Sequence, residues 1–361
     1  MPFKIVPGRL LAPWSPLSST ASNFFRWGDK VKQVKMNTLS PPQVNEPQAC
    51  DEPDGRSRLF ALALKNREIQ PSQARNGKTL DHIKHLVLVG DSLSDTKGRM
   101  RSKTLGIMLS SRQYYAGRFT NGFAWPDFAA SPKFLDKPLL NYAEGGAVAG
   151  KYSKLNPTFM FISNMDRQIK KHDFKPDDMA VLALGANDYM TFGKTNVDKV
   201  IRAHEKQIVK LVKKGVKNIL VTGIPDLSKT VFARSPKQKP LADKLVELSR
   251  LHNERLRELV EKLRKDDRCN GAEIRFFDIS EKMDYLMKLS QEKDVKYDTC
   301  FNKHEGYIDL PRVFGFAGDT RPLDTSHRYV FHDEVHPSQE VHQILASHIT
   351  DFIWEEYGRP D

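Results

Sequence analysis

The chain has 361 residues, 39% hydrophobic and 28% charged, and its 57 Lys and Arg against 45 Asp and Glu leave a net charge of +12. That length holds one large domain or two ordinary ones, and the cationic excess favours anionic partners such as lipid headgroups or acidic proteins; with no helix-turn-helix, zinc-finger or RNP signature it gives no ground for nucleic acid. No apolar run reaches the ~20 residues of a bilayer-spanning helix, and Cys50, Cys269 and Cys300 form neither a metal-ligand spacing nor a disulfide framework, though a Cys269–Cys300 pair stays open.

In chain order, residues 1–78 read as an irregular leader with a secretion or targeting role. Pro7, Pro13, Pro16, Pro41, Pro42, Pro47, Pro53 and Pro71 interrupt every element there except a short candidate helix, "RLFALALKNREI" (58–69). The opening "MPFKIVPGRLLAPWSPLSST" is a poor Sec signal peptide, because prolines break its apolar stretch. Residues 79–361 read as a single α/β domain. "HLVLVGD" (85–91), "LLNYAEG" (139–145), "MAVLALGAND" (179–188), "KNILVTGIPD" (217–226) and "EIRFFDIS" (273–280) are short apolar runs, several ending in Gly or Asp. They have the look of strands buried on both faces of a parallel sheet.

Helical patterns lie between these strands. Over 198–215, Val200, Ile201, His204, Ile208, Leu211 and Val212 form one apolar stripe; over 240–266, Leu245, Leu248, Leu256, Leu259, Val260 and Leu263 form another. Strand–helix alternation predicts a doubly wound fold. The stretch 281–330, weakly periodic and rich in Asp, Tyr and Gly, reads as long loops near a site.

Four short blocks carry chemistry. The first is Gly90-Asp91-Ser92-Leu93-Ser94-Asp95; the second is "NYAEGGA" (141–147); the third is "GAND" (185–188); the fourth is "DEVHP" (333–337), leading into a helix with Val341, Ile344, Leu345 and Ile349 on its apolar face. Each has a plainer reading. Ser92 at a strand end is either a helix cap or a nucleophile at the carboxyl edge of a sheet. Gly-Gly and Asn-Asp are common turn pairs, and His336-Pro337 also suits a helix start.

Three of the four blocks come directly after strands, however, and in a parallel sheet they gather at one edge. Together they supply the parts for acyl transfer. Ser92 needs a neutral imidazole to take its proton, which His336 provides, and Asp333 three residues earlier can hold the ring's tautomer. The Ser92 N–H, the Gly146 N–H and the Asn187 amide suit a tetrahedral oxyanion. Gly146, lacking a Cβ, lets substrate approach its backbone.

The four blocks in this order resemble those of the GDSL lipases, or SGNH hydrolases, over roughly residues 85–355. The resemblance assigns Ser92, Gly146, Asn187 and His336 to the family's four signature positions, with Asp333 completing a triad. It implies a three-layer, flavodoxin-like SGNH-hydrolase fold around a central parallel sheet, and serine esterase activity that needs no metal or other cofactor. "GDSLSDTKGRM", "GRFTNGFAWPDF" (117–128), "LGANDYMT" (184–191), "GIPDLS" (223–228) and "VFHDEVHPSQEVH" (330–342) are similar to the glycerophospholipid:cholesterol acyltransferase branch. That branch moves an acyl chain from a phospholipid to cholesterol or water. Many GDSL enzymes continue "GDSLSDTGN"; Lys97-Gly98-Arg99 stand here instead, a subfamily trait. The branch likeness further implies delivery as a type III effector to the host cytosol and membranes and fits activation by a host Rho-family GTPase, while the +12 charge points to contact with an anionic membrane surface.

Around the four blocks, Asp91, Arg118, Asn121 and Trp125 are candidate substrate contacts, each with an alternative. Arg118 and Asn121 either meet a phosphate headgroup or satisfy a loop backbone. Trp125 and Phe128 either line an acyl groove or belong to the core. Asp188 reads as a structural cap rather than a second acid. His332, His342 and His348 lack the Cys or carboxylate that would complete a zinc site. Two other functions compete with lipid acyl transfer: an acetyl-esterase acting on carbohydrate or other small esters, and a non-catalytic adaptor that binds membranes or GTPases.

Overall fold

The computed structural model describes residues 77–109, 114–153, 155–290, 296–302 and 329–360. All but the end of the leader, together with its candidate helix at 58–69 and Cys50, lies outside them.

Two residues, Lys78–Thr79 (β1), pair antiparallel with Arg359–Pro360 (β9). The central sheet comes next: His85–Gly90 (β2), Leu139–Asn141 (β3), Asp178–Ala183 (β4), Asn218–Thr222 (β5) and Glu273–Phe277 (β6), all parallel in the order β3-β2-β4-β5-β6. With the sheet's own strands counted from one, the order is 2-1-3-4-5, that of flavodoxin-like folds. Each of the five apolar runs has become a strand. β3 is the shortest of the five, and its last residue, Asn141, turns its side chain onto the chain around Ser94. Its amide donates to the Ser94 carbonyl and to Thr96 Oγ1, both at 2.7 Å, and its Oδ1 accepts from the Ala143 N–H.

Side chains alternate along the strands, as the pleat requires, so each face has its own core. Leu86, Leu88, Met179, Val181 and Leu220 meet Trp125–Ala130 (α1), Ile279–Leu289 (α4) and Gln339–Tyr357 (α5). Val87, Val89, Ala180, Leu182, Ile219 and Val221 meet Val197–Lys213 (α2) and Lys239–Leu263 (α3). The stripes read from the sequence are these buried faces: Val200, His204, Ile208 and Leu211 on α2; Leu245, Leu256, Leu259, Val260 and Leu263 on α3. Cys269 is buried as a free thiol, so no pair with Cys300 is made.

The stretch from 281 is not all loop. Its beginning belongs to α4, which Asp278 caps by accepting from the Ser280 and Glu281 N–H groups and which buries Ile279, Met283 and Leu286. Those three positions stand at i, i+4 and i+7, a helical stripe that starts inside the run read as a strand (273–280) and so divides between two readings. Further on, Lys296–Asn302 (β7) runs parallel to Tyr329–Asp333 (β8). The fourth block therefore also leaves a strand, although one outside the central sheet.

Candidate active site

β2, β3 and β4 lie side by side, with Gly90 in register with Ala183 and Leu88 with Asn141. The turns after these strands consequently emerge together. At the end of β2, Gln168 takes the place of a neighbouring strand: its amide donates to the Gly90 carbonyl and accepts from the Gly90 N–H, both at 2.9 Å. A Cβ on Gly90 would stand 2.8 Å from Ser94 Cβ, so this crossing admits only glycine without a shift. Ser92–Ser94 then form a single 3₁₀ turn whose cap is Asp91, accepting from the Leu93 N–H at 3.1 Å. The capping role open to Ser92 thus falls to its neighbour.

The Ser92 hydroxyl is left facing His336, with Oγ 2.8 Å from Nε2. His336 reaches it on a tight turn that Asp333 organises. Asp333 Oδ1 accepts from the Val335 and His336 N–H groups at 2.8 and 2.7 Å, and the His336 Nδ1 lies 2.8 Å from Oδ2. Tyr114 donates its hydroxyl to the same Oδ2 at 2.9 Å. Burial alone would raise the Asp333 carboxyl, but the His336 ring and these donors outweigh it and hold it down at about 2. An ionised carboxylate there keeps the Nδ1 proton in place and leaves Nε2 as the acceptor for the serine proton. The Phe119 ring stands 4.9 Å from the imidazole, and Thr120 Oγ1 donates to the Pro337 carbonyl at 2.9 Å, so the 114–123 segment braces the turn.

Gly146 sits at φ +72°, in the left-handed region that favours glycine. Among the described residues nothing accepts a hydrogen bond from the Ser92 or Gly146 N–H. The Asn187 amide donates one hydrogen to the Ala147 carbonyl at 3.0 Å, and Thr191 Oγ1 donates to its Oδ1 at 2.7 Å, fixing which way the amide points. Beside it, buried Asp188 accepts from the Ala149 and Gly150 N–H groups and from Tyr152 OH, tying the second block to the third. These contacts consume both its oxygens, in keeping with a structural role.

A sequence model of the GDSL-like lipase/acylhydrolase family matches residues 86–349. The chain belongs to that family. It is 41% identical over 300 residues to the secreted effector protein SseJ of Salmonella typhimurium strain LT2, covering 83% of this chain and 70% of that one. It is 30% identical over 340 residues to the phosphatidylcholine-sterol acyltransferase of Aeromonas hydrophila, covering 83% and 96%. Among solved structures, the acetylxylan esterase of Geobacillus stearothermophilus matches 77% of this chain and 97% of its own, with 15% identity and a TM-score of 0.38.

The outlying candidates fare differently. The Arg118 guanidinium forms a two-pronged pair with Asp127 at 2.8 and 2.9 Å, is buried, and lies 5.4 Å from the centroids of Tyr115 and Phe123. Asn121 Oδ1 accepts from the Gln339 N–H at 2.9 Å, capping α5 from across the molecule. Both are thus committed to the protein rather than presented to a headgroup.

Trp125 donates to Ser94 Oγ at 3.1 Å and lines an apolar cleft under the serine turn with Leu93, Ala186, Ile224, Ile279 and Ile349. Asp91 is on that cleft too, and burial pushes its carboxyl up to about 7. Phe128 belongs to the core. Burial, with the charges of His336 and His332, pushes His342 down to about 3, and burial pushes His348 down to about 4. No trio of metal-ligating side chains occurs among the described residues.

Proposed function

We propose that this protein is a serine-dependent lipid acyl hydrolase and acyltransferase that takes an acyl chain from a phospholipid and passes it to cholesterol or to water. The observation that carries the reading is the aligned relay from Asp333 through His336 to the Ser92 hydroxyl, together with the Ser92 and Gly146 N–H groups, which have no acceptor among the described residues. The likeness to SseJ and to a phosphatidylcholine-sterol acyltransferase supports the choice of substrates.

In this reading Ser92 Oγ attacks the ester carbonyl while His336 Nε2 takes the hydroxyl proton. The oxyanion is met by the Ser92 and Gly146 N–H groups and the remaining hydrogen of the Asn187 amide. Collapse breaks the bond to the glycerol oxygen, which leaves as an alcohol with the proton from His336, and the acyl group stays on Ser92. A second hydroxyl, from sterol or water, then gives its proton to His336 and attacks the acyl-enzyme, and the returning proton frees Ser92. Water is in large excess, so transfer requires a seated acceptor; positioning supplies effective molarities of ~10⁵ M or more.

Secretion as an effector extends the proposal, because SseJ is a secreted effector protein; delivery into a host cell and activation by a Rho-family GTPase are proposed with it on the branch likeness of the sequence alone. The test gives full-length protein labelled phosphatidylcholine in vesicles, with and without cholesterol and with and without a GTP-loaded Rho GTPase. Labelled sterol ester beside free fatty acid is expected, and neither with Ser92→Ala. Fatty acid alone under every condition reduces the enzyme to a phospholipase; cleavage of acetyl esters alone points to a small-ester esterase.

A further inference from the structure

Five large apolar side chains stand well out in solvent among the described residues, and four of them fall on two segments: Leu105 at 81% exposure, Leu155 at 95%, Met160 at 64% and Phe161 at 39%. The segments are neighbours. Lys103, two residues before Leu105, donates to the Phe161 carbonyl and lies 4.5 Å from that ring's centroid. Both adjoin the turns of the site. Lys103 also pairs with Glu144 at 2.7 Å, two residues before Gly146. Tyr152, three residues before Leu155, donates to Asp188 at 2.6 Å, beside Asn187, and packs on Phe159 at 4.8 Å.

The surroundings are cationic. Lys194 and Lys199 lie 5.1 and 4.8 Å from the Tyr152 ring centroid, and Lys151 is exposed next to it. None of these three pairs with an acid of the described residues, whereas the nearby Asp198 and Glu144 are taken by Arg255 and Lys103.

We propose that Leu105, Leu155, Met160 and Phe161 are the surface by which the protein enters an anionic phospholipid bilayer, with Lys151, Lys194 and Lys199 meeting the headgroups. This rests on the lipid reading above and names where that lipid is met. Isolated apolar side chains projecting from turns and from the short helix Pro157–Phe161 offer no groove to a peptide. They match the boundary between headgroups and acyl chains, where apolar burial and attraction to anionic lipid act together. Docking there sets against the membrane the segments that are tied, through Glu144 and Asp188, to the turns carrying Gly146 and Asn187.

The test separates binding from chemistry by using vesicles of ether-linked phosphatidylcholine, with and without ether-linked phosphatidylserine, which offer no acyl ester to cleave. Co-sedimentation of the full chain is compared with Leu155→Ser/Met160→Ser, Lys194→Gln/Lys199→Gln and, as an exposed apolar control on α3, Val246→Ser. Hydrolysis of a dissolved short-chain ester is measured for each. The apolar double variant should partition at least tenfold more weakly into both kinds of vesicle, a change of about 1.4 kcal/mol. The lysine variant should weaken only with phosphatidylserine, and added salt should imitate it. Val246→Ser should match the parent, and soluble-ester hydrolysis should be unchanged throughout.

The proposal falls if the apolar variant partitions like the parent, or if the parent ignores both vesicles. It also falls if the parent sediments as a dimer that Leu155→Ser/Met160→Ser dissolves, because the patch then covers a second copy. Loss of soluble-ester hydrolysis in the parent, with vesicle binding intact, overturns the catalytic reading and leaves the docking surface standing.

Discussion

Replacing Asp333 by Asn should abolish most of the activity without removing a catalytic atom from Ser92 or His336. Asp333 Oδ1 is fixed by two backbone donors, Val335 and His336 N–H, at 2.8 and 2.7 Å. An asparagine amide satisfies them only by putting its oxygen there, which turns its NH₂ toward His336 Nδ1, in the place of an oxygen now 2.8 Å away. The amide then donates where the carboxylate accepted. Nδ1 becomes the acceptor and the proton moves to Nε2, which faces the Ser92 hydroxyl at 2.8 Å and can no longer take its proton. In a serine protease the equivalent tautomer error lowers kcat by ~10⁴, and a loss of that order is expected in kcat/KM for a dissolved short-chain ester. Labelling of Ser92 by a fluorophosphonate should slow in parallel, because it draws on the same base. Circular dichroism and melting should still report a folded protein, since the backbone donors keep their acceptor. A loss below tenfold, or full-rate labelling beside lost hydrolysis, would refute the tautomer argument.

Arg118→Ala should lower the melting temperature, because it leaves half-buried Asp127 with only the Ala124 N–H as a partner, a loss below the ~3–5 kcal/mol of a fully buried pair; a raised KM for phospholipid at unchanged stability would restore Arg118 as a headgroup contact. Asp91 keeps its proton in the folded state up to about 7, against an ordinary 3.8 when unfolded. The unfolded chain therefore gains by ionising it as pH rises from 4 to 7, and stability is lost across that window, by on the order of 4 kcal/mol at most. Asp91→Asn, which retains an oxygen for the Leu93 N–H, should flatten that fall, as seen in urea midpoints at pH 5 and 8; parallel curves for the two proteins would contradict it. Thr191→Val should lower kcat on the soluble ester with little change in KM, through loss of the 2.7 Å bond that orients Asn187, and unchanged kcat would detach Asn187 from the oxyanion.

The sheet and the four chemical blocks were legible because each is local: an apolar run that ends in a Gly- or Asp-bearing turn announces both a strand and the turn at its end. Parallel order then put three of the turns at one edge. The contacts that escaped the sequence span distance. Tyr114 reaches Asp333 across 219 residues and Asn121 caps α5 across 218, and nothing local marks either. Arg118 has its partner nine residues away, within reach of a sequence argument, but its burial was not visible. α4 went unseen because its stripe of Ile279, Met283 and Leu286 begins inside the apolar run read as a strand and continues into the stretch read as loop.

Asp333 and His336 ride on one hydrogen-bonded turn, so base and orienting acid move as a unit, and the centre reduces to a single joint: the gap between that turn and Ser92. The joint is closed by the 114–123 segment, through Tyr114 on Asp333, Phe119 on His336, Thr120 on Pro337 and Asn121 on Gln339. A random library scored for ester cleavage would accordingly map this strap as a sensitive stretch beside the four chemical blocks, although it supplies no reacting atom. Loosening it would leave every chemical group intact and spoil only their meeting.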